Sequence, residues 1–210
     1  MRTVRQLAEQ GVLPVPTAAL ESLPPPSVHP KRVSFDRVEG MLLGIAIGDA
    51  LGNTSEGLSP RDRRRQHVEI RDYLPNRHAG GRAVGLPSDD TQLAFRTLEC
   101  LLADGRIVPD RLAEAFGRGR IFGIGHTVAA FLRAYATGAP WHVAAQRSVR
   151  AVNDTPDNDT IGAIVGALVG ALHGSDSLPR RWRDGLLGRT AEADDGRIFE
   201  LIAEARRRWS

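Results

Sequence analysis

From Phe35 onward the chain alternates apolar stripes of helical period with short breaks marked by glycine and proline. Val38, Met41, Leu42, Ile45 and Ala46 recur at three- and four-residue spacing, which predicts a helix over residues 35–52. A second is expected over 90–102, with Leu93, Ala94, Thr97, Leu98 and Leu101 on its inner side and Gly105 just past its end. Pro109 opens a third, to about residue 117, and helices are also expected over 127–136, 141–152 and 161–173. Ile198, Leu201, Ile202, Ala205 and Trp209 give a last helix its apolar stripe. No alternating strand pattern competes with these, so the expected fold class is all-α, a compact helical bundle.

Residues 1–32 do not share this pattern. Pro14, Pro16 and the run Pro24-Pro25-Pro26 deny both helical geometry and backbone donors, so this stretch is expected to be an appendage to a helical domain over 33–210. Within that domain, Gly40, Gly44 and Gly48 fall at four-residue intervals, as do Gly166, Gly170 and Gly174, with Ala163, Ala167 and Ala171 beside the second set. Glycine inside a helix costs about 0.5–1 kcal/mol relative to alanine, so two such rows imply faces where helix backbones approach closely. Core packing is enough to account for them.

Composition narrows the class without naming a function. The 210 residues, 41% hydrophobic and 25% charged, suit one sizeable domain. The net charge of +3 comes from arginine runs at 61–65, 180–183 and 206–208 without interleaved aromatics, which indicates a solvated basic face and argues against nucleic-acid binding, except of a nucleic acid that is itself a modified substrate. Cys100 stands alone, which excludes an intramolecular disulfide and a thiolate metal site and fits a reducing, cytoplasmic setting. The leading residues are too polar for a secretory signal, and the apolar runs are too short to span a membrane.

Chemistry concentrates in three acidic segments: Gly48-Asp49-Ala50-Leu51-Gly52 with Glu56 after it, Ser88-Asp89-Asp90-Thr91, and Asp157-Asn158-Asp159-Thr160, each at the end of an apolar helix. Two carboxylates at one helix start are ordinarily caps, because the amides and dipole there welcome negative charge. Two such starts are a different matter. If they converge, Asp89, Asp90, Asp157 and Asp159 repel one another, and cations relieve that repulsion. Carboxylates and hydroxyls without histidine or cysteine are hard ligands, suited to magnesium, calcium or manganese rather than zinc. Four acids around two divalent ions make a neutral site.

The runs Gly40-Met-Leu-Leu-Gly-Ile-Ala-Ile-Gly-Asp-Ala-Leu-Gly52, Ser88-Asp-Asp-Thr91 and Asp157-Asn-Asp-Thr-Ile-Gly-Ala-Ile-Val-Gly-Ala-Leu-Val-Gly-Ala-Leu-His-Gly174 resemble, in order, the three signature segments of the ADP-ribosylglycohydrolases. That family includes the dinitrogenase-reductase-activating glycohydrolases and the J-crystallins. The resemblance runs from about Phe35 to Trp182. It implies an all-α bundle with two magnesium ions, for which manganese can substitute. By motif position Ser88, Asp89 and Asp90 match the first ligand group, and Asp157, Asp159 and Thr160 the second. Glu56 falls where some members place a glutamate beside the metals.

The resemblance also implies a reaction: magnesium-dependent removal of ADP-ribose from a modified protein, nucleic acid or small molecule, by hydrolysis at the ribose anomeric carbon. Glu56 and Asp90 are the candidate catalytic carboxylates, for taking a proton from water and favouring positive charge on the ring. The glycine-rich loop over 117–125 and Thr127 offer backbone amides to a diphosphate, with Gly123, Gly125 and Thr127 as candidate substrate-binding residues. One departure is large. Similar members continue beyond the Pro140-Trp141 neighbourhood into a long helical stretch with an Asn-Gly-x-x-Met-Arg segment, whereas here Trp141 passes within a dozen residues to Arg150-Ala-Val-Asn-Asp154. This internal deletion removes part of the substrate cleft. It leaves open a non-enzymatic relative that binds metal or ADP-ribose or serves a structural role, and a trimmed bundle is expected to self-associate.

Overall fold

A computed structural model describes residues 10–11, 34–146, 158–188 and 196–209. Helix α1 (Phe35–Gly52) is followed by α2 (Pro60–His67), a two-residue antiparallel hairpin of β1 (Pro75–Asn76) and β2 (Arg82–Ala83), and α3 (Asp89–Asp104). Then come α4 (Pro109–Phe116), α5 (His126–Ala136), α6 (Trp141–Gln146), α7 (Asn158–His173), α8 (Arg180–Gly185) and α9 (Arg197–Trp209). The described residues are therefore all-α apart from that hairpin and one bridge in which Gly85 pairs with Leu186.

Most expected helices are present, and the differences have physical reasons. The hairpin, α2 and α8 were not expected: two-residue strands carry no periodicity, and α2 is a polar octet whose only sequence signal is Pro60 after Ser59, whose side chain caps it. Helix α7 starts three residues before the predicted 161, so Thr160 sits inside its first turn rather than ahead of it. The expected helix over 141–152 is described to Gln146, its remainder lying outside the described residues. Trp209, assigned to the apolar stripe of the last helix, is exposed at the end of α9, while Ile198, Leu201, Ile202 and Ala205 are buried as expected. Among the described residues no helix is long and apolar enough to cross a membrane.

The core is shared by α1, α3 and α9: Leu42, Leu43, Ala46 and Ile47 meet Phe95, Leu98 and Leu102 together with Ile198, Leu201 and Ile202. The inner side of α3 is not the one hydropathy indicated. Leu98 is buried, but Leu93, Ala94, Thr97 and Leu101 are only half-buried, and the buried row carries the polar Thr91, Gln92 and Arg96.

Helix α7 packs on α1 with backbone against backbone. A Cβ at Gly44 would overlap the Gly166 carbonyl, and one at Gly170 would overlap the carbonyl of Gly40. The pairing runs antiparallel, so following it back along α7 brings Thr160 level with the Asp49 end of α1. Asp36 closes the other end, where its Oδ1 accepts from the Ser175 amide at 3.1 Å and the Ser175 hydroxyl at 2.7 Å. Because the obstacle at Gly44 is backbone, which cannot rotate away, Gly44→Ala is expected to destabilise by about 3 kcal/mol, or roughly 6–12 °C in melting temperature. An unchanged melting curve would show that α1 and α7 are not in contact.

Candidate functional site

The site grows from one carboxylate. Asp49, in the last turn of α1, is fully buried. Its Oδ2 accepts from the backbone amides of Ser88 (2.8 Å) and Thr91 (3.1 Å) and from the Thr91 hydroxyl (2.5 Å). Oδ1 accepts from the Ser88 hydroxyl (2.5 Å) and from Asn53 Nδ2 (3.2 Å), which also donates to the Leu86 carbonyl at 2.7 Å. Burial pushes the Asp49 pKa up, against the pull of these donors. Ser88 is the N-cap residue of α3 by position, yet its side chain makes no cap bond. Asp49 takes the Thr91 amide in its place, so the cap expected of the Ser88-Asp89-Asp90 run comes from another helix.

With Ser88 and Thr91 turned inward, Asp89 and Asp90 face outward from the first turn of α3 and are half-buried. Asp90 Oδ2 accepts from the Thr160 hydroxyl at 2.9 Å. The starts of α3 and α7 therefore meet, although 70 residues separate the two partners. Asp157 and the side chain of Asp159 lie outside the described residues. Among the described residues no three acidic, histidine or cysteine side chains form a metal-holding group. Asp89 accepts from the Gly125 amide at 3.3 Å, and its pKa is raised to about 6, first by burial and then by the neighbouring carboxylates of Asp90 and Asp49.

The glycine-rich loop is held against α3 by two buried polar residues that sequence reading missed. Gln92 Oε1 accepts from the Phe122 amide at 2.7 Å and its Nε2 donates to the Arg120 carbonyl at 3.3 Å. One turn on, Arg96 donates to the carbonyls of Phe116 (2.9 Å), Ala115 (3.4 Å) and Arg120 (3.5 Å). Their only sequence signal is a polar residue on a face that should pack, which reads as solvent exposure until its partner is known. Gly123 has φ of +70°, and a Cβ there would come within 3.2 Å of Ser88 Cβ and 3.3 Å of Asp89 Oδ1. Glycine thus lets the loop lie flush against the start of α3. Thr127 is half-buried in the first turn of α5.

A cavity of about 440 Å³ opens here, lined by Asn53, Glu56, Arg77, His78, Ser88, Phe122 and Gly123 among others. Its size suits a small-molecule ligand. Glu56 is exposed on this lining, immediately after the short 3-10 turn Asn53–Ser55. The structure thus brings Glu56, Ser88 and Gly123 to one cavity, Asp89 to Gly125, and Asp90 to Thr160.

A sequence model described as ADP-ribosylglycohydrolase matches residues 30–150 and 145–209. The chain belongs to the ADP-ribosylglycohydrolase family. The two matched blocks overlap at 145–150, shortly after Trp141. Over 132 residues the chain is 35% identical to the ADP-ribosylarginine hydrolase Tri1 of Serratia proteamaculans (strain 568), covering 56% of this chain and 33% of that protein. It is 36% identical over 107 residues to the Tri1 of Pseudomonas putida (strain GB-1), covering 44% and 26%. An uncharacterized protein of Archaeoglobus fulgidus is 35% identical over 83 residues, covering 40% and 27%. The chain thus spans about a third or less of the length of these relatives.

Two outcomes follow from Asp49 and Asp89. In Asp49→Asn the amide oxygen must keep the Oδ2 position, because the Ser88 and Thr91 amides cannot reverse, and its NH2 then faces the Asn53 donor. A loss of about 2 kcal/mol is expected, and Asp49→Ala, which strands every donor, should cost about 4 kcal/mol. Denaturant titration that ranks the two equally would contradict this hydrogen-bond assignment. A carboxyl whose folded-state pKa of about 6 lies above its ordinary 3.8 binds more protons folded than unfolded, so stability falls as pH rises between those values. In chelator-treated protein, Asp89→Asn should therefore gain stability over the unaltered chain across that window, and a flat difference would refute the shift.

Proposed function

We propose that this chain removes ADP-ribose from a modified acceptor by hydrolysing the bond at the ribose anomeric carbon, with magnesium held between the starts of α3 and α7. The observation that carries the reading is the Asp90 to Thr160 hydrogen bond, which joins two acidic helix starts, one of them led by Ser88 on the lining of a ligand-sized cavity. The donor chemistry fits the ion. Ser88, Asp89, Asp90 and Thr160 present only oxygen, as hard divalent cations require, and Asp157 and Asp159 would complete the set. Bound there, magnesium would orient the ribose hydroxyls and acidify a coordinated water.

The chain's own residues supply the rest. Glu56, exposed on the cavity lining, would accept the proton of the attacking water. Asp89 and Asp90 place negative charge where the sugar ring becomes positive as the leaving group departs. Asp49 holds both in place through Ser88 and Thr91, and Gln92 holds the loop whose Phe122 lines the same cavity. The two Tri1 relatives bear the name ADP-ribosylarginine hydrolase, which makes arginine-linked ADP-ribose the first substrate to test. Turnover is expected to be slow, since the missing middle segment takes positioning contacts with it, and positioning supplies several kcal/mol of many enzymes' rate enhancement.

Release of ADP-ribose from arginine-, serine- and nucleic-acid-linked substrates should require magnesium or manganese and fall at least about 100-fold in Asp90→Asn and Asp159→Ala. The same metals, at about 100 times Kd, should add about 2.7 kcal/mol to the stability of the unaltered chain and nothing to Asp159→Ala. Activity that survives both substitutions would overturn the metal assignment. Metal-dependent melting without turnover on any linkage would leave a binding relative instead of a hydrolase.

A further inference from the structure

Among the described residues, the cavity lining has one arginine that no carboxylate answers. Arg77 lines it and is exposed, and among the described residues its guanidinium meets no acid. Its Nε donates instead to His78 Nε2 at 3.1 Å. Arg71 and Arg181, also exposed, do meet acids, Glu69 at 2.6 Å and Asp72 at 3.0 Å. Arg77 also does not hang from a loose loop. Asn76, buried beneath it, accepts the His78 amide at 2.8 Å through its side chain and the Gly81 amide at 2.9 Å through its carbonyl. Arg82 Nε donates to the Ala79 carbonyl at 3.1 Å, closing the turn.

From this we infer that Arg77 is an anion-recognising residue that takes a phosphate of the substrate's diphosphate, an assignment resting on the hydrolase reading above. A sugar nucleotide brings negative charge into a cavity that already has Glu56 on its lining and Asp89 and Asp90 just beyond Ser88. Arg77 supplies the countercharge on that same lining. A guanidinium is suited to the task because its planar donors fit phosphate oxygens, and Nε is already occupied, leaving the terminal nitrogens to face the ligand. His78 and Phe122, whose rings meet edge to face at 6.1 Å, continue the same wall into a neighbouring cavity of about 650 Å³. This stretch of the lining is therefore cationic and aromatic, a pairing suited to a phosphate followed by a nucleobase.

Calorimetric titration of the full chain in magnesium with ADP-ribose, and separately with adenosine, tests this. The unaltered chain should bind ADP-ribose, Arg77→Ala should bind it at least about tenfold more weakly, and Arg77→Lys should fall between. Adenosine affinity should not change, and the difference between variants should shrink as salt rises. Melting of Arg77→Ala should match that of the unaltered chain, since Arg77 supports no other element. Equal ADP-ribose binding by both chains overturns the assignment, and so does an equal loss for adenosine. Failure of the unaltered chain to bind ADP-ribose defeats the hydrolase reading itself.

Discussion

The buried carboxylate of Asp49 is the constraint on which the rest of the site depends. It sits at the carbonyl end of α1, where the helix dipole disfavours negative charge, and it is stripped of water. What compensates is the start of α3: two amides and two hydroxyls from Ser88 and Thr91, with Asn53 as a fifth donor. A leucine at position 49 would be the simpler core residue. Spending a buried charge on the junction fixes the rotation of α3 about its axis, so Asp89 and Asp90 are turned toward α7 and the loop.

Around that junction, charge is used to fasten elements as much as to solvate them. The arginines 206–208 of α9 are exposed, as a solvated basic face requires, yet Arg206 also pairs with Glu39 of α1 and Arg208 donates to the Leu102 carbonyl of α3, while Arg197 at the start of the helix meets Glu99 of α3 at 2.5 Å. Helix α9 therefore spans α1 and α3 with an apolar stripe beneath and cationic clasps along its edge. The run on α2 behaves as expected from sequence, with Arg61, Arg64 and Arg65 exposed. The same residue type does two jobs, and only the proximity of Glu39, Glu99 and an open helix end distinguishes them.

That contrast explains what was legible beforehand. Helix positions followed from periodicity, and the acids Asp89, Asp90 and Glu56, with the hydroxyls Ser88 and Thr160, were picked out because local motifs carried them. Residues whose meaning lies in a distant partner were not. Asp49 lay in plain view within Gly48-Asp49-Ala50-Leu51-Gly52, but four of its five donors come from Ser88 and Thr91, at least 39 residues later. Gln92 and Arg96 were passed over because hydropathy assigns polar residues outward, and here they are buried to hold loop carbonyls and one amide. The Arg77 to Ala79 turn depends on Asn76, and a two-residue strand leaves no pattern to detect.

The glycine contact between α1 and α7 behaves like the teeth of a rack. Each backbone-to-backbone seat requires glycine on both sides, and the seats recur only every fourth residue, so α7 can shift along α1 only in steps of about one turn, roughly 5–6 Å. Intermediate positions drive a carbonyl into a side chain. Thr160 rides on α7 and Asp90 is tied to α1 through Asp49, so their 2.9 Å contact is either in register or lost by a whole step. Site geometry in this molecule is thus quantised, and sequence drift along the two glycine rows would abolish the junction outright before it could loosen it by degrees.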